Sequence, residues 1–181
     1  ENIQFTVNPL PVVNAVITVE QCDNDEDNDG KTKFNLTSYQ NLISEEQWET
    51  AIKLLSEGAC VGMPTETVYG LAGDALNPIG VAKVFETKRR PAFDPLIVHV
   101  TLDMDLTKYV KVSETAQKLM DAFWPGPLTI LMEKTESISD LVTSGHPTVA
   151  LRCPAHPVAQ SLLNRYGKPL VAPSANLFGQ L

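Results

Sequence analysis

Residues 44–181 predict an α/β domain, a twisted open sheet flanked by helices, on three observations. Segments with helical apolar spacing alternate with short apolar runs, capping signals open the helices, and polar residues gather where the apolar runs end. Ser44 and Gln47 form a capping box, EEQWETAIKLLSEG places apolar residues at helical spacing, and Gly58 supplies the stop. ACVGM reads as a short buried strand, and Asn77 with Pro78 opens a second helix that runs to Lys88. PLIVHV is a further apolar strand, and Ser113 begins the helix SETAQKLMDAFW. PLTILME and TVALRC follow as strands, Pro157 opens the helix HPVAQSLLNRYG, and PLVAPSAN leaves a last strand. In such an arrangement the ligand loops lie beyond the strand ends.

Composition bounds the function. The chain has 181 residues, 43% of them hydrophobic, enough for a buried core. A net charge of -8 argues against gripping nucleic acid by overall charge, while the local patch of Lys88, Arg89 and Arg90 remains suited to phosphates. Cys22, Cys60 and Cys153 are odd in number and form no CxxC, so neither a disulfide framework nor a zinc site is indicated, and a reduced compartment fits. No apolar run reaches the roughly 18 residues of a membrane span. A basic segment followed by an apolar one is absent from the start, so no secretory signal is indicated either, although Glu1 is not a methionine.

Residues 1–43 look like a different kind of protein. PVVNAVITV, residues 11–19, has strand-like content, and the following stretch concentrates Asp and Asn as a solvated acidic linker does. The competing reading is calcium: Asp25, Asp27 and Asp29 followed by Gly30 match the opening of a calcium loop, but Leu36 stands where the bidentate Glu belongs. This appendage resembles segments of large bacterial surface proteins of the flavobacterial kind.

The polar residues fall in five segments: PTET at 64–67, KRRPAFDPLIVH at 88–99, WPGPLT at 124–129, TVALR at 148–152 and PSAN at 173–176. Singly, Thr65 and Thr67 fit turn hydroxyls, Glu66 a turn shaper, His99 a satisfied strand histidine, Arg152 a surface cation, and Ser174 and Asn176 turn formers. Together they supply what is needed to hold a nucleotide beside an amino acid. Lys88 and Arg90 neutralise a polyphosphate, Arg152 offers a fork to a carboxylate, and Thr67, Thr148, Ser174 and Asn176 read neutral groups. No serine or cysteine has a base at recognisable spacing, so catalysis by positioning and electrostatics is expected.

Read in order, PTETVYGLAGDA, KRRPAFDPLIVHV, FWPGPLTIL, TVALRCPAHP and APSAN resemble the YrdC-like family of threonylcarbamoyl-AMP synthases over residues 44–181. The resemblance implies a twisted, open mixed sheet and synthesis of threonylcarbamoyl-AMP and pyrophosphate from L-threonine, bicarbonate and ATP. It also implies magnesium, a cytoplasmic setting, tRNA or double-stranded RNA as a nucleic-acid partner, and a transferase that carries the product to tRNA. Residue by residue, it implies Lys88 and Arg90 as the catalytic cations, and Thr67, His99, Arg152 and Ser174 as threonine-binding residues. Lys88, Arg90, Asp94, Thr148 and Asn176 fall on the ATP side. Asp94 departs from the usual Asn, removing an amide donor and adding repulsion toward phosphate. The family pattern continues beyond Leu181, so the resemblance predicts an incomplete pocket. A non-catalytic RNA or nucleotide binder and a secreted calcium-binding fragment remain the alternatives at this point.

Overall fold

Alternation along each strand divides the side chains between the two faces of a sheet. The computed structural model describes residues 4–7, 17–20, 43–176 and 178–179. Strands β1 (Gln4–Val7) and β2 (Ile17–Glu20) pair with each other antiparallel. Part of the strand expected over 11–19 therefore appears in β2; Asp25, Asp27 and Asp29 lie outside the described residues.

Helix α1 (Glu45–Ser56) opens on the expected capping box, with Ser44 and Gln47 exchanging side-chain and backbone hydrogen bonds, and Gly58 follows in the left-handed region at φ 82°. Then come β3 (Val61–Met63), β4 (Gly70–Asp74) and α2 (Pro78–Lys88), whose Asn77 side chain caps Ile79 N–H at 3.0 Å. β5 (Ile97–His99), α3 (Glu114–Phe123), β6 (Thr129–Glu133), the short α4 (Asp140–Thr143), β7 (Thr148–Arg152), α5 (Pro157–Tyr166) and β8 (Leu170–Val171) complete the order. Ser113 caps α3 as expected, accepting from Ala116 N–H at 3.2 Å.

The six strands β3 to β8 form one mixed sheet in the order β3-β4-β8-β5-β7-β6, in which only β5 and β7 run parallel. Val98, Val149, Leu151, Ile130, Met132 and Val171 share one face and pack with Val81, Val84 and Phe85 of α2, Ala116 and Met120 of α3, and Val142 of α4. On the other face Val61, Met63, Ala72 and Leu170 pack beneath Trp48, Ala51 and Leu55 of α1 and Leu162 and Leu163 of α5. Those two helices cover only the half of the sheet formed by β3, β4 and β8. Over β5, β7 and β6 the same face stays open among the described residues, and Leu131 there is 67% exposed.

One strand has no counterpart in the sequence reading: GLAGD is β4, and Gly70, its first residue, is not among the glycines with positive φ. Its lack of a side chain serves packing, because a Cβ there would meet Cβ of Ala172 at 3.0 Å and its carbonyl oxygen at 3.3 Å. Among the described residues no helix is long and apolar enough to cross a membrane.

Candidate active site

The register places the polar candidates on the open face. His99 pairs with Arg152 across β5 and β7, Arg152 with Thr129, and Glu133 with Thr148. Residues two apart share a face, so Thr148, Ala150 and Arg152 stand beside Ile97 and His99 on the side that the helices leave uncovered. Thr148 and Arg152 mark opposite ends of β7, about 13 Å apart along the strand.

One cluster gathers around Arg152. Thr65 forms a hydroxyl turn, its Oγ1 accepting from the N–H groups of Thr67 at 3.3 Å and Val68 at 3.2 Å and donating to Val68 O at 2.6 Å. That turn holds Thr67 where Nη2 of Arg152 donates to its Oγ1 at 3.3 Å. The same nitrogen donates to Oε1 of Glu66 at 2.8 Å, and Ala155 N–H donates to Oε2 at 3.2 Å. Burial opposes ionisation of Glu66, but the hydrogen bond and charge of Arg152, with the Ala155 N–H, outweigh it and hold the carboxyl below its ordinary range. Arg152 is therefore no surface cation: its side chain is 11% exposed.

His99 is 2% exposed, and burial first, then the charge of Arg152, pushes its imidazole down to about 4. It is a neutral hydrogen-bonding group at neutral pH. His99 Nδ1, Arg152 Nε and His156 Nε2 are all buried without a hydrogen-bond partner among the described residues. An unmade bond at a buried polar atom costs about 1–3 kcal/mol, which a polar ligand relieves. His156 opens α5 by accepting from Val158 N–H through Nδ1 at 3.2 Å and lies within reach of the charge of Glu66.

The shift of His99 has a measurable consequence. A base whose folded value lies below its unfolded one contributes stability that is complete above the unfolded value and is lost as pH falls toward the folded one. The window runs from 6.5 down to about 4. Across it the protein is expected to lose up to about 3 kcal/mol to His99 alone. Denaturant titrations of wild type and His99→Gln across that window check this; parallel curves would contradict it.

A second cluster surrounds the end of α2. Lys88 is 2% exposed, and its Nζ donates to the backbone carbonyls of Ser174 and Asn176. Burial and the neighbouring Arg90 lower its pKa. Arg89 closes the helix in the left-handed region at φ 52° and turns the chain so that Arg90 faces its own loop. There Nε donates to Asp94 O at 3.1 Å, and Nη2 donates to Pro95 O at 3.0 Å and pairs with Oδ2 of Asp94 at 2.9 Å. Its guanidinium also lies 5.4 Å from the Phe178 ring centroid, and Phe178 N–H donates to Lys88 O at 3.0 Å.

Ser174 links the two clusters. Its backbone bridges to Gly70 at the exit of the Thr67 loop, while its carbonyl receives Lys88. The structure thus brings together Thr67, His99 and Arg152, and separately Lys88, Arg90, Asp94, Ser174 and Asn176, with Thr148 across the open face. Sequence reasoning missed the partnership of Glu66 and the presence of His156. Both stood in motifs already singled out, PTET and TVALRCPAHP, but nothing in their spacing showed what they would face.

Known proteins share this fold. The family model Sua5_yciO_yrdC, described as telomere recombination, matches residues 53–181. A protein of Pyrococcus abyssi named threonylcarbamoyl-AMP synthase is 43% identical over 138 residues, covering 75% of this chain and 41% of that protein. A Vibrio campbellii protein of the same name is 36% identical over 136 residues, covering 74% of each. The crystal structure of P. abyssi Sua5 complexed with L-threonine aligns with a TM-score of 0.73 at 42% identity, over 76% of this chain and 40% of that one. The chain thus spans about two fifths of the length of the Pyrococcus relative and about three quarters of the Vibrio one. A domain model that matches residues 53–181, together with relatives identical at more than a third of the aligned positions, makes this chain a member of the Sua5/YciO/YrdC family.

Proposed function

We propose that the protein makes threonylcarbamoyl-AMP and pyrophosphate from L-threonine, bicarbonate and ATP, for transfer to tRNA by a separate transferase in the cytoplasm. The observation that carries this reading is the buried, partly unsatisfied Arg152–His99 pair beside Thr67 on the open sheet face, linked through Ser174 to a second, cationic cluster at the end of α2. The relatives named threonylcarbamoyl-AMP synthase and the Sua5 structure complexed with L-threonine support it.

In this reading the guanidinium of Arg152 takes the amino-acid carboxylate, and Thr67 and neutral His99 take neutral oxygens of the ligand. A site built to hydrogen-bond a hydroxyl rejects a ligand lacking it, because its own buried groups are then left unpaired. The amine attacks bicarbonate, water leaves, and a carbamate forms; a carbamate oxygen then attacks the α-phosphorus of ATP, and pyrophosphate departs. Lys88, Arg90, Thr148 and Asn176 hold the nucleotide in line, so catalysis rests on positioning and charge stabilisation. Magnesium enters as the counter-ion of the triphosphate, bound chiefly by its phosphates. Among the described residues no three His, Cys, Asp or Glu side chains stand close enough to hold a metal.

Asp94 modulates the nucleotide side. Its carboxylate already occupies Arg90, so a phosphate must exchange with it. Asp94→Asn removes an anion in a half-exposed position and is expected to lower KM for ATP about 2- to 5-fold, the range of a partly exposed charge contact. An unchanged or raised KM would show that Asp94 helps the nucleotide.

The activity is tested by pyrophosphate release with ATP, bicarbonate and L-threonine, against controls without threonine or with valine in its place. Release that depends on threonine and fails with valine is expected. Release independent of the amino acid would refute the synthase.

A further inference from the structure

Glu66 has no role in the reaction as described so far, yet it is the most heavily engaged acid of the open face. It ties the loop after β3 to the segment after β7, through Arg152 on one oxygen and the Ala155 N–H on the other. No strand pairing joins those elements, since β4, β8 and β5 lie between them in the sheet. The Glu66 side chain is 23% exposed and that of Arg152 is 11% exposed, so the pair is mostly withdrawn from water.

The pairing is single-pronged. Glu66 uses only Nη2 of the guanidinium, the nitrogen that also reaches Thr67, and Nε stays buried and unpartnered among the described residues. Nδ1 of His99, on the neighbouring strand and the same face, is in the same condition. A flexible guanidinium loses rotamer freedom when it captures a carboxylate, and fixing it beforehand removes that cost from binding.

We propose that Glu66 is a positioning residue of the amino-acid site, fixing the Arg152 guanidinium and the Thr67 loop before the ligand arrives and leaving Nε of Arg152 and Nδ1 of His99 for the ligand's oxygens. This rests on the amino-acid reading above. A carboxylate that instead competed with the ligand for Arg152 would have the opposite effect when removed, which gives the test its direction.

The test measures L-threonine and ATP binding by calorimetry in wild type, Glu66→Ala and Glu66→Gln, and amide hydrogen exchange of residues 65–69 without ligand. Glu66→Ala is expected to weaken threonine about tenfold, the equivalent of one ordinary hydrogen bond, and to leave ATP affinity unchanged. Residues 65–69 exchange faster in Glu66→Ala, and Glu66→Gln, which keeps one carbonyl acceptor, recovers part of both effects. Threonine affinity that is unchanged or tighter in Glu66→Ala overturns the proposal, and so does unaltered exchange. Should wild type bind no threonine while the amides still respond, the amino-acid reading itself fails, and the assignment of the fixed loop to that ligand fails with it.

Discussion

Arg152→Ala is expected to weaken L-threonine binding on the order of 100-fold, the loss that follows when one partner of a buried, charge-assisted pair is removed. The side chain is 11% exposed and bonded to Glu66 and Thr67, so the substitution deletes the proposed fork for the carboxylate and also leaves the acid of Glu66 without its guanidinium. In the proposed reading both consequences fall on the amino-acid half of the open face. ATP affinity is expected to change much less, because Lys88 and Arg90 belong to a different cluster. Calorimetric titration with each ligand checks this, and pyrophosphate release at saturating threonine should recover part of the rate. Unchanged threonine affinity together with lost ATP binding would reverse the assignment of the two halves.

Lys88→Met is the second large effect. The ammonium is buried and donates to the carbonyls of Ser174 and Asn176, so it holds the chain after β8 against the end of α2. Methionine fills similar volume but leaves two carbonyls without a charged donor, a loss of at least about 3 kcal/mol, the lower end for two hydrogen bonds to a charge worth roughly 1.5–3 kcal/mol each. For a domain of this size that lowers Tm by roughly 6–12 °C. Pyrophosphate release should fall with it, since Ser174 and Asn176 lose their anchor. Arginine is a poor substitute, because its planar fork cannot replace a compact ammonium between two carbonyls. Lost release at unaltered Tm would instead assign Lys88 to the phosphates alone.

Local chemistry was legible where it acts locally. The capping box at Ser44, the Asn77–Pro78 start and the Ser113 cap are written within a few residues, and the helices begin there. β4 was not legible, because GLAGD has neither β-branched content nor a turn signal that marks it as a strand. Its glycines answer to neighbours distant in sequence: a Cβ on Gly73 would meet Val84 Cγ2 at 2.9 Å and Gly80 O at 3.1 Å, as α2 packs directly on the strand. The site divides in the same way. His99 and Arg152 were legible as polar residues at the ends of apolar runs, which cores reject unless they are paired. Glu66 was not, since its role depends on a loop crossing the face of the sheet to reach β7, and no spacing in PTET encodes that crossing. Arg90 was legible as a cation, but its engagement with Asp94 and Pro95 comes from the left-handed turn at Arg89.

The central claim, that the open face joins an amino acid to a nucleotide through a carbonate-derived carbon, is tested most directly by isotope. The protein would be incubated with ATP, L-threonine and isotopically labelled bicarbonate, and the adenylate products resolved by mass spectrometry. The predicted result is a threonylcarbamoyl-adenylate carrying the label, formed in step with pyrophosphate and absent when Arg152→Ala is assayed at limiting threonine. An adenylate without the label, or pyrophosphate release with no such adduct, would contradict the account.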